Sequence, residues 1–141
     1  MREMTVEAWV EATPEVVWAD LTRAELLVQW YWPSRFETTA EIEPVAGGHW
    51  RVRSEPAGLA VDATVLEEHA PESLRLRWQW EGESAATDAG ITLEPAAGAT
   101  RVIVRHSGFV SDEERQSHFD GWESCLQRLV DRHGAGSAGA G

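Results

Sequence analysis

The sequence predicts an α+β fold in which a seven-stranded antiparallel sheet packs against one long C-terminal helix. Residues 5–12 alternate apolar and polar side chains, as a half-buried strand does. Between residues 35 and 108, further short alternating runs are separated by Gly, Pro and acidic turns, which is typical of an antiparallel meander. From residue 111 to about residue 133, apolar residues recur at three- and four-residue spacing, which indicates a helix.

Two short helices are expected between the first strand and residue 33. Thr13 has the side chain of an N-cap, and Pro14 suits the first helical position because its missing N–H is not needed there. The sequence TRAE at residues 22–25 repeats a capping box, in which Thr22 would cap the second helix.

Six more strands follow, and each has one apolar and one polar face. They are predicted at residues 35–43, 48–54, 59–68, 73–81, 87–95 and 100–107. Arginines recur on the polar faces, at positions 51, 53, 75, 77, 101 and 105. We expect this outer face to be a solvated ladder of ion pairs with Glu7, Glu11, Glu41, Glu43 and Glu94. The apolar inner face must therefore be covered.

The last helix is the predicted cover. Ser111 and Glu114 have the spacing of a capping box at its start. Its apolar stripe comprises Phe119, Trp122, Leu126, Leu129, Val130 and His133. We expect residues 1–133 to form one domain and residues 134–141, GAGSAGAG, to be a flexible tail, because Gly, Ala and Ser cannot bury much apolar surface.

Composition excludes several classes of function. Twelve basic against twenty-four acidic residues give a net charge of -12, which repels nucleic acid and anionic membranes. The single cysteine, Cys125, excludes an internal disulfide. No apolar run approaches the roughly 18 residues of a membrane span, and residues 1–12 do not resemble a secretory signal, so a cytoplasmic location is expected.

Several motifs occur in an order that resembles a known superfamily. They are ATPEVVWADLT at 12–22, QWYWP at 29–33, GGHW at 47–50, LRLRWQW at 74–80, TRVIVRHSGF at 100–109 and GWESCLQRL at 121–129. With the element order, they resemble the SRPBCC (START-like) superfamily, and within it the bacterial homologues of the activator of heat-shock protein 90 ATPase, of the C-terminal-domain type. The resemblance covers residues 5–133 and implies a helix-grip fold, a curved seven-stranded sheet wrapped around the C-terminal helix.

The resemblance also implies a hydrophobic cavity between sheet and helix, without a shared catalytic set. Four tryptophans are expected to point into this interior, namely Trp50, Trp78, Trp80 and Trp122. They either surround a partly open cavity or fill the volume themselves. Crowding between Trp78 and Trp80 favours the open cavity, with Trp30 and Trp32 at its mouth. The predicted ligand-binding residues are Trp50, Val52, Leu76, Trp78, Trp80, Ile91, Val104, His106, His118, Phe119, Trp122 and Leu126.

Two groups of polar residues and one glycine are further candidates for a functional role. His106 and Ser107 point to opposite faces of a strand, so they do not form a Ser-His nucleophile, and His106 is interpreted as lining the pocket. A metal site of His106, His118 and Cys125 lacks any known ligand spacing and is not predicted. Gly121, inside a helix, indicates either close approach to the sheet or space for a ligand.

The function predicted is binding of a small lipophilic molecule, aromatic or lipid-like, without cofactor or metal. One alternative is a polyketide cyclase or aromatase that uses His106 or His118 as acid or base. Another is a co-chaperone-like regulator that acts through outer-face residues such as Trp9 and Arg105. Trp9 also marks a possible homodimer contact.

Overall fold

The computed structural model describes residues 2–81 and 86–134, and these residues have the predicted α+β fold. The strands are β1 (Arg2–Val10), β2 (Thr39–Ile42), β3 (His49–Ser54), β4 (Leu59–His69), β5 (Ser73–Trp78), β6 (Thr87–Ala96) and β7 (Ala99–Phe109). The helices are α1 (Pro14–Thr22), α2 (Ala24–Leu27) and α3 (Asp112–His133). Of the predicted tail, residues 135–141 lie outside the described residues.

The strands form one curved antiparallel sheet in the order β1-β7-β6-β5-β4-β3-β2. The first and last strands of the chain are neighbours, with Val6 opposite Val104 in the β1–β7 pair. Helix α3 follows β7 directly and packs on the inner face of the sheet, closest to β1. The helix-grip arrangement predicted from the resemblance is therefore confirmed.

The two faces of the sheet are as the alternation predicted. Trp50, Leu76 and Val104 on the inner face are fully buried. On the outer face, Arg101 pairs with both Glu7 and Glu94. Because these pairs are exposed to solvent, they contribute little to stability.

The ion-pair partners on the outer face are partly different from those expected. Glu41 lies 3.9 Å from Arg51, but the closer partner of Arg51 is Asp62, at 3.1 Å. Asp88 similarly pairs with Arg75 at 2.8 Å. Glu11 and Glu43 make no ion pair within the described part of the chain. Sequence alternation identified the face of each residue but not the register that sets its neighbour.

Three predicted boundaries are corrected. Residues 34–36 form a 3₁₀ helix, and Glu37 ends it in the left-handed region with φ 48°, so β2 begins at Thr39 rather than near residue 35. Strand β5 ends at Trp78, although Trp80 still bridges to Val61. Thr22 does not cap α2: its hydroxyl donates to the Trp18 carbonyl at 2.7 Å, inside α1.

The ends and the buried stripe of α3 agree with the sequence analysis. The Glu114 N–H donates to the Ser111 hydroxyl at 3.1 Å, which is the Ser111 half of the predicted capping box, and the helix ends at His133. Its buried residues are His118, Trp122, Cys125, Leu126 and Leu129. The predicted stripe residues Phe119, Val130 and His133 are half-buried. No helix of the described residues is long and apolar enough to cross a membrane.

A buried carboxylate joins α1 to the end of α3. Asp20 is only 2% exposed, and its carboxylate oxygens lie 2.6 Å from His133 Nε2 and 3.2 Å from Arg132 Nε. We expect Asp20→Ala to lower the free energy of unfolding by about 2 to 3 kcal/mol, because it leaves a partly buried arginine without its partner. Urea denaturation measures the change.

Asp112→Ala is the matched control for this prediction, since it also removes one carboxylate that pairs with an arginine, here at the start of α3. Asp112 pairs with Arg2 at 2.7 Å, but its side chain is 76% exposed. We expect a loss below about 1 kcal/mol. Equal losses in the two variants would contradict the assignment of Asp20 as a buried tie.

Candidate ligand-binding cleft

An aromatic cluster fills the space between the sheet and α3. Ring centroids are 5.4 Å apart for Trp50 and Trp78, and 5.0 Å apart for Trp78 and Trp122. Tyr31 closes the cluster at 5.5 Å from Trp50. All four side chains are at most 3% exposed. The interior that was expected to be partly open is therefore occupied by the indoles themselves, which pack in tilted and edge-on contacts.

A cleft of about 580 Å³ lies beside this cluster, between α3 and the segment that follows α2. Its lining residues are Tyr31, Trp32, Pro33, Phe36, Leu59, Trp78, Trp80, Glu81, Ser117, His118, Gly121, Trp122, Ser124, Cys125 and Arg128. Trp32 and Trp80 are nearly parallel, with an interplanar angle of 14° and centroids 6.1 Å apart. The cleft thus presents several flat apolar surfaces, and its volume suits a drug-sized ligand.

Gly121 forms the wall of the cleft on α3. A Cβ atom built at this position would have no heavy atom within 4 Å, and the residue is exposed. The helix therefore does not need this glycine to approach the sheet. Of the two interpretations of Gly121, the structure favours open space beside Trp122.

His106 is held below the cleft by a chain of hydrogen bonds. The indole N–H of Trp122 donates to His106 Nδ1 at 3.0 Å, so Nε2 carries the ring proton of a neutral imidazole. His106 Nε2 then donates to the Thr87 hydroxyl at 2.6 Å, and that hydroxyl faces the Trp78 carbonyl at 3.4 Å. Every donor in the chain has an acceptor, so the tautomer follows from the partners.

The environment of His106 keeps the ring neutral. The side chain is fully buried, and desolvation, with a smaller effect of the nearby His118, lowers the pKa of His106 from 6.5 to about 3. Its hydrogen-bond partners are Trp122 and Thr87, and Ser107 is not one of them. In this structure His106 lies in the core, bonded to the final helix through Trp122, and it does not line the cleft described above.

His118 reaches the cleft, with both ring nitrogens engaged. The indole N–H of Trp80 donates to His118 Nε2 at 2.8 Å, and His118 Nδ1 lies 2.8 Å from the Glu114 carbonyl, which can only accept. A metal would need the lone pair on His118 Nε2, but this lone pair accepts the hydrogen bond from Trp80. In the same way, the lone pair on His106 Nδ1 accepts the hydrogen bond from Trp122. Within the described residues no group of three His, Cys, Asp or Glu could hold a metal ion.

Comparisons with known proteins identify the family. The sequence profile described as Activator of Hsp90 ATPase homolog 1-like protein matches residues 11–134. The chain belongs to this family. No curated protein matches the sequence. The resemblance inferred from the motifs is thereby confirmed.

Solved structures share the fold of this family at low sequence identity. Protein MLL2253 from Mesorhizobium loti is 20% identical with a TM-score of 0.79, over 92% of this chain and 95% of that one. DynU16, a protein in the dynemicin biosynthetic locus, is 24% identical with a TM-score of 0.79, over 92% of this chain but 46% of its own. An HSP90 activator from Plasmodium falciparum is 16% identical with a TM-score of 0.73, over 92% and 94%.

Three of the motifs that indicated the Activator of Hsp90 ATPase homolog 1-like family contribute lining residues to the cleft, and one of them, LRLRWQW, supplies Trp78 and Trp80. QWYWP supplies Tyr31, Trp32 and Pro33, and GWESCLQRL supplies most of the α3 wall. Of the predicted ligand-binding residues, those that line the cleft are Trp78, Trp80, His118 and Trp122. Those that do not line it are Trp50, Val52, Leu76, Ile91, Val104, His106, Phe119 and Leu126.

Sequence reasoning missed part of the wall. Trp32 was expected at a cavity mouth and lines the cleft, whereas Trp30 turns away and donates its indole N–H to the Asp20 carbonyl at 3.1 Å. The alternating pattern predicts a strand at Phe36, and no motif in the sequence points to a binding role for Arg128. The spacing of Gly121, Cys125 and Arg128 along α3, four residues and then three, was the signal that could have placed them on one side of the helix.

Proposed function

We propose that this protein binds a small, flat, hydrophobic molecule in the cleft between α3 and residues 31–36. The observation that carries the proposal is the combination of open space at Gly121 with the aromatic surfaces of Trp32, Trp80 and Phe36. Trp32 contacts Phe36 at a centroid distance of 6.0 Å as well as Trp80, so the wall is continuous. Aromatic walls of this kind bind planar ligands by stacking and apolar burial.

The origin of a similar structure supports a small-molecule ligand. DynU16 is a protein in a biosynthetic locus, and this chain matches its fold over less than half of its length. The supported ligand class is an aromatic or otherwise conjugated molecule, rather than a long flexible chain, because the stacked surfaces are short and rigid. The proposal does not require an enclosed cavity between the sheet and α3, where the aromatic cluster fills the space.

Substitution at Gly121 tests the proposal. We expect Gly121→Leu to weaken ligand binding at least tenfold, because its side chain occupies space that the ligand needs; one methylene of misfit already costs about 1 to 3 kcal/mol. The measurement is native mass spectrometry of the purified protein, first for retained apolar adducts and then with a panel of aromatic polyketides, sterols and fatty acids.

Gly121→Ala is the matched control. Its Cβ meets no neighbour, and alanine should raise the free energy of unfolding by about 1 kcal/mol through helix propensity while binding is retained. If the Gly121→Leu protein binds the same molecules as the wild type, the cleft is not the binding site. If the wild type binds nothing from the panel and retains no adduct, the proposal fails.

The geometry gives less support to an acid-base enzyme. His106 is fully buried and neutral, and it has no contact with the cleft. His118 lines the cleft, but a substrate would have to displace the Trp80 indole from its Nε2. A cyclase that uses either histidine would therefore need a rearrangement of these hydrogen bonds.

A partner-protein role is the second candidate, and one observation favours it. Trp9 is 58% exposed on the outer face, with the Arg101 guanidinium 6.0 Å from its ring. An exposed tryptophan beside arginine is typical of interface hot spots. If the co-chaperone-like role holds, Trp9→Ala should abolish capture of a heat-shock protein 90 in a pull-down, and Gly121→Leu should have no effect on it.

A further inference from the structure

Arg128 brings a fixed positive charge to the cleft. Its Nε donates to the Trp30 and Tyr31 carbonyls at 3.1 and 3.2 Å, and its Nη2 donates to the Tyr31 carbonyl at 2.8 Å. These bonds use one side of the planar guanidinium and hold it in one orientation. Nη2 also lies 3.6 Å from Cys125 Sγ, a weak acceptor.

The charge of Arg128 has no anionic partner within the described part of the chain. Outer-face arginines such as Arg51, Arg75 and Arg101 each pair with carboxylates. All the hydrogen bonds of Arg128 go to neutral acceptors, and its Nη1 makes none with the described residues. A half-buried guanidinium with unused N–H groups on Nη1 favours an oxyanion, because a hydrogen bond between charged groups is stronger than one to a neutral acceptor.

The surroundings of Arg128 do not supply that anion. Burial raises the pKa of the Cys125 thiol to about 11, and burial likewise raises the pKa of Tyr31, so both groups stay protonated and neutral at pH 7. Glu81 is the carboxylate among the lining residues, and it lies 3.7 Å from Arg53. The interactions present around Arg128 therefore position its charge without neutralising it.

We propose that the ligand of this cleft carries an acidic group, a carboxylate or an ionised phenol or enol, on its flat apolar body, and that Arg128 binds this group. The inference rests on the proposed function and narrows its ligand class from apolar molecules to aromatic acids. The net charge of -12 repels anions at long range, so recognition depends on the short contact with Arg128.

A matched pair of probes tests the assignment without identifying the natural ligand. Anthracene carboxylate and anthracene carboxamide have the same ring system and differ in charge. We expect the wild type to bind the carboxylate about tenfold more tightly than the carboxamide, as measured by titration of tryptophan fluorescence. In Arg128→Gln this ratio should fall to about one, whereas Arg128→Lys should keep most of it.

The ratio separates recognition of the acid from a purely structural role of Arg128. If Arg128 only holds Trp30 and Tyr31 in place, Arg128→Gln should lower the affinity for both probes by the same factor and leave their ratio unchanged. That result would overturn the assignment. Equal binding of both probes by the wild type would also overturn it, while leaving the proposed cleft intact. If the wild type binds neither probe, that result counts against the proposed cleft as well as against the assignment of Arg128. The wild-type ratio and the Lys variant keep the test decisive if Arg128→Gln does not fold.

Discussion

Replacing Trp122 by alanine is expected to lower the free energy of unfolding by about 3 to 5 kcal/mol. The indole is 3% exposed and packs against Trp78, so its removal leaves a cavity in the aromatic cluster. It also takes away the donor to His106 Nδ1, which leaves a buried acceptor unsatisfied. A loss of this size is a large part of the 5 to 15 kcal/mol that stabilises a typical domain.

Two further variants separate the contributions at Trp122. Trp122→Phe keeps much of the apolar volume but removes the N–H, and we expect it to lose about 1 to 3 kcal/mol. Trp9→Ala removes the same side chain from an exposed position, and its effect should stay within about 0.5 kcal/mol. Denaturant unfolding measures all three. A loss for Trp122→Ala no greater than that for Trp9→Ala would contradict the packed cluster.

Acid should destabilise the protein through His106. Because burial lowers its pKa from 6.5 to about 3, the unfolded state binds a proton between these values and the folded state does not. Stability from this histidine is complete above pH 6.5 and falls by about 1.4 kcal/mol for each pH unit below it, until the folded protein also protonates near pH 3. At pH 4.5 the expected loss from His106 is about 2 to 3 kcal/mol.

The pH slope of the unfolding free energy isolates His106 from the other titrating groups. His106→Gln removes the ionisation and keeps a side chain that can accept from Trp122, so its slope between pH 4.5 and 6 should be shallower by about one proton. If His106→Gln keeps the wild-type slope, the buried histidine is charged in the folded protein.

The sequence predicted elements whose pattern is local and repeated. Alternation placed Trp50 and Val104 on the buried face, and the spacing of Ser111 and Glu114 located the start of α3. Thr22 was misplaced because a threonine at a helix end has two options, to cap the next helix or to bond back four residues, and the sequence does not choose between them. The 3₁₀ helix before β2 depends on Glu37 in the left-handed region, which residue type does not predict.

The candidate site was less accessible to sequence reasoning because it depends on how side chains share space. Strand alternation and the helical spacing of α3 correctly pointed Trp50, Trp78 and Trp122 inward, but whether they enclose a volume or fill it is decided by distances of a few ångströms. The free volume lies instead where α3 and residues 31–36 diverge. Arg128 was overlooked because its partners are main-chain carbonyls nearly one hundred residues earlier, and main-chain acceptors carry no residue signature.

The close packing of the tryptophans has an optical consequence. The ring centroid of Trp78 lies 5.4 Å from that of Trp50, 5.0 Å from that of Trp122, and 6.2 Å from that of Trp80 in the wall of the cleft. Indoles at such separations exchange excitation energy before they emit, so light absorbed anywhere in the cluster reaches the ring that emits at lowest energy. A bound molecule that stacks on Trp80 and absorbs at the emission wavelength of tryptophan would accept this energy. Its binding would then quench the fluorescence of the whole cluster and not only that of Trp80.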